Sequence, residues 1–269
     1  MGYTAKQLVE IAEAEIGYHE KASNFNLDSK TVNSGKGNYT KYSRDLHKAG
    51  YYNGNKQGFD WCDQFVDWCF FKLCGKNKEK AEYLECQTGN YGAGCGFSLK
   101  YYKAAGRFDK TPKVGDQIFF KYNLNDTSYT ADHTGIVVRV TDKLIETIEG
   151  NSGNEVECKA YQRNDKTIVG YGHPRYDAET ATKAPAKEGA KTVKIELPVL
   201  RKGSSGNAVK ALQRLLRQLQ YVNLDGKTLL IVDGNFGSNT EAAVKRYQQK
   251  HLNGVDGIVG EKTWNKLLK

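Results

Sequence analysis

The chain of 269 residues is 39% hydrophobic and 26% charged with almost no low-complexity sequence, a composition that excludes wholesale disorder and leaves room for two domains of ordinary size. No run approaches the roughly 20 apolar residues that span a bilayer. The start, Met1-Gly2-Tyr3-Thr4-Ala5-Lys6-Gln7-Leu8, has neither the basic nor the apolar region of a secretory signal, so neither a membrane protein nor a conventional export substrate is expected.

The net charge of +9 is concentrated near the C-terminus, where residues 199–269 hold 12 Lys/Arg against 5 Asp/Glu. That balance suits an anionic partner such as nucleic acid, a membrane surface or an acidic wall polymer.

Gly58 and Asp60 open the most informative segment, Phe59-Asp60-Trp61-Cys62-Asp63-Gln64-Phe65-Val66-Asp67-Trp68-Cys69-Phe70. Cys62, Phe65, Val66, Cys69, Phe70 and Leu73 fall on one stripe at helical spacing, which predicts a buried helix. With Asp60 as N-cap, Cys62 lies in the first turn, where unpaired N–H groups and the positive dipole end favour a thiolate. Cys69, two turns deeper, reads as core. The six cysteines, at 62, 69, 74, 86, 95 and 158, contain no CxxC pair and no finger-like His spacing, which argues against structural zinc. A domain of this size builds a core without staples, so mostly reduced thiols are expected, one of them reactive; Cys86 and Cys95 are a candidate pair that the sequence does not establish.

The tyrosine- and glycine-rich span Gly89–Tyr102 suits either a groove wall for an extended polymer or a structural loop. A thiolate also needs a proton-handling base, and the candidates are His19, His47, His133, His173 and His251. His133 opens the strand-like run Thr134–Val140; a turn at Thr141-Asp142-Lys143 leads into a second run, Leu144–Asn151. Folded as a hairpin, the pair sets His133 beside Glu149 and Asn151, either of which can orient the imidazole. His173, at the end of the last strand-like run, reads as structural.

Asp177–Pro198 has no aromatic residue and two of the four prolines, and reads as a linker between domains at 1–176 and 199–269. Beyond it, Val232-Asp233-Gly234-Asn235-Phe236-Gly237 recurs 23 residues later as Val255-Asp256-Gly257-Ile258-Val259-Gly260. Each copy leads into a helical pattern, with polar residues placed to cap it, and an earlier helix carries Val209, Leu212, Leu215, Leu216 and Leu219. Three short helices joined by Asp-Gly turns make a compact all-α bundle.

This C-terminal segment resembles the small three-helix peptidoglycan-binding domain of many wall hydrolases; its own Asp and Gly residues are expected mainly to shape the bundle. The segments Gly58–Trp68 (GFDWCDQFVDW), His133–Val137 (HTGIV) and Thr147–Asn151 (TIEGN) resemble, in order and spacing, the three signatures of the CHAP family of cysteine- and histidine-dependent amidohydrolases/peptidases. The resemblance spans residues 4–176. It implies a papain-like α+β fold with an antiparallel sheet, Cys62 as nucleophile, His133 as general base and acid, Glu149 as its orienting partner, and Asn151 as the polar residue two positions later. It also implies amide hydrolysis through a thioacyl intermediate, with no metal or other cofactor. The stretch Asn53–Gly58, where some relatives carry an acidic calcium loop, has no carboxylate and contains Lys56.

Together these readings predict a peptidoglycan hydrolase, an N-acetylmuramoyl-L-alanine amidase or a peptide endopeptidase. Its expected partners are bacterial peptidoglycan and anionic wall polymers, not nucleic acid, with no membrane insertion. A phage endolysin would be made in the host cytoplasm and reach the wall at lysis; a bacterial autolysin would act outside the cell. A non-enzymatic wall-binding protein is the rival of a different class.

Overall fold

The structure is a computed structural model and describes residues 2–89, 93–125, 130–176, 197–219, 221–224 and 230–267. The chain divides into two compact units, Met1–Ala184 and Pro185–Lys269. Of the expected linker, residues 177–196 lie outside the described residues.

In the first unit, helices α1 (Ala5–Glu15), α2 (Lys41–Lys48), α3 (Cys62–Leu73), α4 (Lys78–Leu84) and α5 (Cys95–Ala104) precede strands β1 (Phe108–Asp109), β2 (Gln117–Phe120), β3 (His133–Val140), β4 (Leu144–Ser152), β5 (Glu155–Gln162) and β6 (Ile168–Gly172). The strands make one antiparallel sheet in the order β1-β6-β2-β3-β4-β5, so the unit is α+β, as the sequence predicts.

The predicted helix is α3. It is buried on every side, from Cys62 to Phe71 without a break, which is the burial of a central helix rather than an amphipathic surface one. One side meets the Tyr42 ring, whose centroid lies 5.4 Å from Phe65 and 5.0 Å from Trp68. The other side packs on β3 and β4, whose Ile136 and Ile148 belong to the same core. Gly150 makes this docking possible, because a Cβ there would stand 2.5 Å from the Phe65 Cβ and 2.9 Å from the Trp61 ring.

The predicted hairpin is β3–β4. The Thr141 hydroxyl accepts the Leu144 N–H at 2.9 Å, and Ile136 pairs with Ile148 and Val137 with Thr147. The span Gly89–Tyr102 is largely helix rather than loop, with Tyr101 and Tyr102 in the interior; residues 90–92 lie outside the described residues.

Beneath α3 lies a buried acidic pair with no basic partner among its hydrogen bonds. Tyr52 donates to Asp67 Oδ2 at 2.6 Å and Tyr51 to Glu85 Oε2 at 2.5 Å. Burial, only partly offset by the bonds from Glu85 and Tyr52, lifts Asp67 to about 6. Folding therefore raises its proton affinity, and the associated stability is complete below the unfolded value of about 4 and is lost as the pH rises through about 6. The change Asp67→Asn should stabilise the protein by about 1 kcal/mol at pH 8 and by less at pH 5, as read from urea melts.

The second unit contains α6 (Asn207–Gln218), α7 (Ser238–His251) and α8 (Glu261–Leu267), the expected three helices, around Leu212, Leu216, Val244, Tyr247 and Trp264. Leu219, predicted inside the first helix, is its C-cap and is exposed. The expected caps also differ, since α7 begins at Gly237 with no side-chain cap. The sequence repeat is instead held by two glutamines. Buried Gln213 donates through Nε2 to Asp233 Oδ1 (2.8 Å), the Asn235 carbonyl (3.0 Å) and Thr240 Oγ1 (3.0 Å), and its Oε1 accepts the Gly234 N–H (2.8 Å). Gln248 repeats the pattern on Asp256, the Ile258 carbonyl, Thr263 and the Gly257 N–H. Gly234 and Gly257 have φ of 80° and 74°, the left-handed region these turns require. Replacing either glutamine by alanine strands several buried polar groups and should cost about 2–3 kcal/mol, visible by calorimetry of the full chain as a lowered transition.

Candidate active site

The helix that carries Cys62 starts one residue later than the sequence suggested. Its N-cap is Trp61, which makes no side-chain cap; the indole Nε1 instead donates to Glu20 Oε2 at 2.8 Å, anchoring the helix start to the N-terminal loop. Asp60, the expected cap, accepts the Asn151 Nδ2–H on Oδ1 at 3.2 Å and the Gln64 side chain on its carbonyl at 2.9 Å. Cys62 is the first helical residue and is 7% exposed, a nearly closed site that still opens to solvent.

This position does not by itself make Cys62 a thiolate, contrary to the expectation from its helix terminus. A hydrogen bond with the Cys95 thiol and then burial push its pKa well above the ordinary thiol value, while contact with His133 pulls it down. The dipole of one helix end is too small to offset the loss of solvation.

His133 and Glu149 are joined by the hairpin as predicted. His133 Nε2 lies 2.9 Å from Glu149 Oε2. Glu149 is fully buried, and the opposite residue on β3 has to be small: a Cβ at Gly135 would stand 2.5 Å from Glu149 Cγ. Two further donors hold the carboxylate, Thr147 Oγ1 to Oε1 at 2.5 Å and Tyr161 OH to Oε2 at 3.1 Å. Phe120 and Tyr122 pack on the imidazole with centroids 5.9 and 5.7 Å away, and the Tyr122 and Tyr161 hydroxyls meet at 3.1 Å.

Burial, the largest influence on His133, pushes its pKa down, but the hydrogen bonds and charges of Cys62 and Glu149 outweigh it and raise the value to about 10. With Nε2 on the carboxylate, Nδ1 is the ring nitrogen left to exchange a proton with the thiol. The arrangement is a thiol, an imidazole and a carboxylate in series, the order of groups that a nucleophile, a base and an orienting acid require.

Asn151 joins this set only indirectly: its bond goes to Asp60 rather than to the imidazole. Cys69 is fully buried core, as expected. In the loop ahead of the thiol, Lys56 Nζ rests on Asn53 Oδ1 at 2.7 Å, so an ammonium group already occupies that oxygen. His173 is structural, its Nδ1 2.9 Å from Asp116 and its Nε2 3.0 Å from Asp109. A cleft of about 430 Å³ between α1, α2 and α3 contains neither Cys62 nor His133; its Lys41 pairs with Glu15 and its Arg44 with Asp28 and Asp45.

Three supporting residues were not singled out from the sequence, and two of them, Tyr122 and Tyr161, lie outside the three quoted signatures. Thr147 was open to discovery, since positions two apart on a strand share a face with Glu149. Tyr161 and Tyr122 depend on the sheet order and the strand ends, which periodicity does not reveal.

Because the pKa of His133 rises on folding, its pairing stabilises fully below the unfolded value of about 6.5, and that contribution is lost as the pH climbs through about 10. Glu149→Gln should therefore lower the His133 titration midpoint, followed by NMR of its ring proton, and reduce stability more at pH 6 than at pH 10.

Residues 51–151 match the family model described as "CHAP domain", and residues 205–267 match "Putative peptidoglycan binding domain". The zinc D-Ala-D-Ala carboxypeptidase of Streptomyces albus G is 43% identical over 70 residues, 26% of this chain and 26% of its own. The "Probable N-acetylmuramoyl-L-alanine amidase" of Bacillus licheniformis is 34% identical over 105 residues, 36% of this chain and 28% of its own. An uncharacterized protein of Kitasatospora aureofaciens is 46% identical over 71 residues, 26% of this chain and 55% of its own, so the chain spans at most about half the length of these relatives. Among solved structures, the SleB N-terminal domain shares 37% identity over 27% of this chain and 90% of its own, with a TM-score of 0.23. The chain joins a CHAP domain to a C-terminal peptidoglycan-binding domain.

Proposed function

We propose that the protein is a peptidoglycan hydrolase that cleaves an amide bond through a thioacyl intermediate on Cys62. The observation that carries this reading is the His133–Glu149 pair in contact with Cys62, which begins a buried helix in a chain that also carries a peptidoglycan-binding domain.

For attack, Cys62 and His133 must hold one proton between them, and the buried negative charge of Glu149 favours its residence on the imidazole. The thiolate then attacks the amide carbonyl carbon. The Cys62 N–H, at the first position of α3, is among those a helix leaves unpaired and can donate to the developing oxyanion. The imidazolium protonates the departing amine, and the neutral ring next activates water to release the acyl group. Glu149, held by Thr147 and Tyr161, keeps the ring oriented through both half-reactions.

The C-terminal unit raises the local concentration of the thiol site on an insoluble polymer, and its net positive charge favours anionic wall polymers as well as peptidoglycan. The bond is that of an N-acetylmuramoyl-L-alanine amidase or of a peptide endopeptidase, acting at the cell wall as a phage endolysin or an autolysin would. The name of the Bacillus licheniformis relative favours the amidase.

Purified peptidoglycan treated with the protein should release fragments with new amino termini by mass spectrometry, and Cys62→Ala should lower that release at least about a thousandfold. New L-Ala termini identify an amidase, and other termini an endopeptidase. Release that survives Cys62→Ala, or binding with no release from several wall types, would overturn the reading.

A further inference from the structure

We propose that Tyr122 is a substrate-contacting residue that binds the amine half of the cleaved bond, the peptide whose nitrogen departs, and so makes the site selective for a peptidic leaving group. The inference rests on the proposed function, in which His133 hands its proton to the departing amine.

That proton transfer fixes where the substrate has to run. The leaving nitrogen must come within hydrogen-bond reach of the imidazole, about 3 Å, so the chain that continues from it passes the groups packed on that ring. Phe120 and Tyr122 pack there. Phe120 pairs with His133 across β2 and β3 and is wholly buried. Tyr122 is 49% exposed, so of these two rings it is the one a substrate can touch.

Tyr122 is also held as a binding surface has to be held. Its backbone N–H donates to both carboxylate oxygens of Asp132, at 2.9 and 3.0 Å, and the Asn123 N–H donates to Oδ2 at 3.2 Å. Asp132 directly precedes His133, and its own N–H donates to the Phe120 carbonyl at 2.9 Å. One side chain thus ties the Tyr122 backbone to the start of the strand that carries the imidazole. The Tyr122 ring lies nearly parallel to Phe120, with 13° between planes and 5.6 Å between centroids. A ring fixed at its backbone, its face and its hydroxyl loses little freedom when a ligand arrives.

The hydroxyl adds a direction. Tyr161 has one phenolic proton and gives it to Glu149 Oε2 at 3.1 Å. The contact between the two phenols, 3.1 Å long, must then carry the Tyr122 proton toward Tyr161. With its donor spent, Tyr122 offers the substrate an aromatic face and an oxygen that can only accept. A peptide N–H supplies the donor for that oxygen. Small alkyl groups such as the methyl of alanine, whose hydrogens are weakly positive, suit the negative face of the ring. Carboxylates and carbonyl oxygens, which carry no proton, gain nothing at the phenol. The ligand class is therefore a peptide segment with small side chains on the amine side of the bond.

The test compares two synthetic amides with the same acyl half, built on the bond that the new amino termini identify. One is the primary amide, which releases ammonia, and the other releases a tripeptide. For the wild type, kcat/KM for the peptide-releasing substrate should exceed that for the primary amide at least about tenfold, and Tyr122→Ala should bring the ratio to within about twofold of unity. Tyr122→Phe keeps the ring and removes the acceptor, and should leave about a third of the ratio; it also serves if the alanine variant fails to fold by circular dichroism. The ratio is the readout because a displaced imidazole slows both substrates alike and leaves it unmoved. A wild type that does not distinguish the two substrates, or a ratio retained in the variants, would overturn the proposal. So would a second pair, sharing the amine half and differing in the acyl half, whose ratio is the one that Tyr122→Ala changes. A wild type that cleaves neither substrate nor wall overturns the hydrolase reading and this proposal with it, whereas cleavage with an unmoved ratio overturns this proposal alone.

Discussion

Everything at the candidate site depends on how closely the start of α3 can approach the sheet. A helix buried on all sides cannot place its first residue beside a strand end unless that strand gives way, and here it does so at Gly150, where Phe65 and Trp61 occupy the space of a side chain. Gly135 does the same on the neighbouring strand, letting the stem of Glu149 lie across it. Trp61 completes the constraint, its body packed in the aromatic core and its single N–H spent on Glu20. The geometry at the thiol is thus set by what is missing on the strands as much as by what is present on the helix.

The electrostatics follow from that burial. Asp63, Asp67 and Glu85 are carboxyls in a dry interior, and hydroxyls and amides rather than cations provide most of their partners. Such groups retain protons that surface carboxyls would release. Glu149 differs in facing an imidazole, and this is what allows a charged pair to persist next to Cys62. Partner choice separates these acids: hydroxyls and amides back Asp63, Asp67 and Glu85, whereas Glu149 is backed by the His133 imidazole as well as by two hydroxyls.

Much of this was legible in the sequence, and the parts that were not share a cause. The helix at Cys62, the hairpin that brings His133 to Glu149 and the three C-terminal helices follow from periods of 3.6 and 2 and from local turn residues. The cap at Trp61 escaped because Asp60 satisfies every local rule for that position, yet its side chain is claimed by Asn151, 91 residues away. Tyr161 and Tyr122 escaped for the same reason: each matters through a partner on another element. The thiol's resting state was misjudged because a helix end is visible in sequence and the depth at which it sits is not.

One helix of the C-terminal unit has two duties. α7 receives the first turn through Thr240 and grips the second through Gln248. The two repeats are consequently not separable modules strung in series, and neither turn can open without loosening the helix that holds the other. The amides of Gly234 and Gly257, far apart in sequence, belong to one cooperative opening event and should exchange with solvent at a common rate.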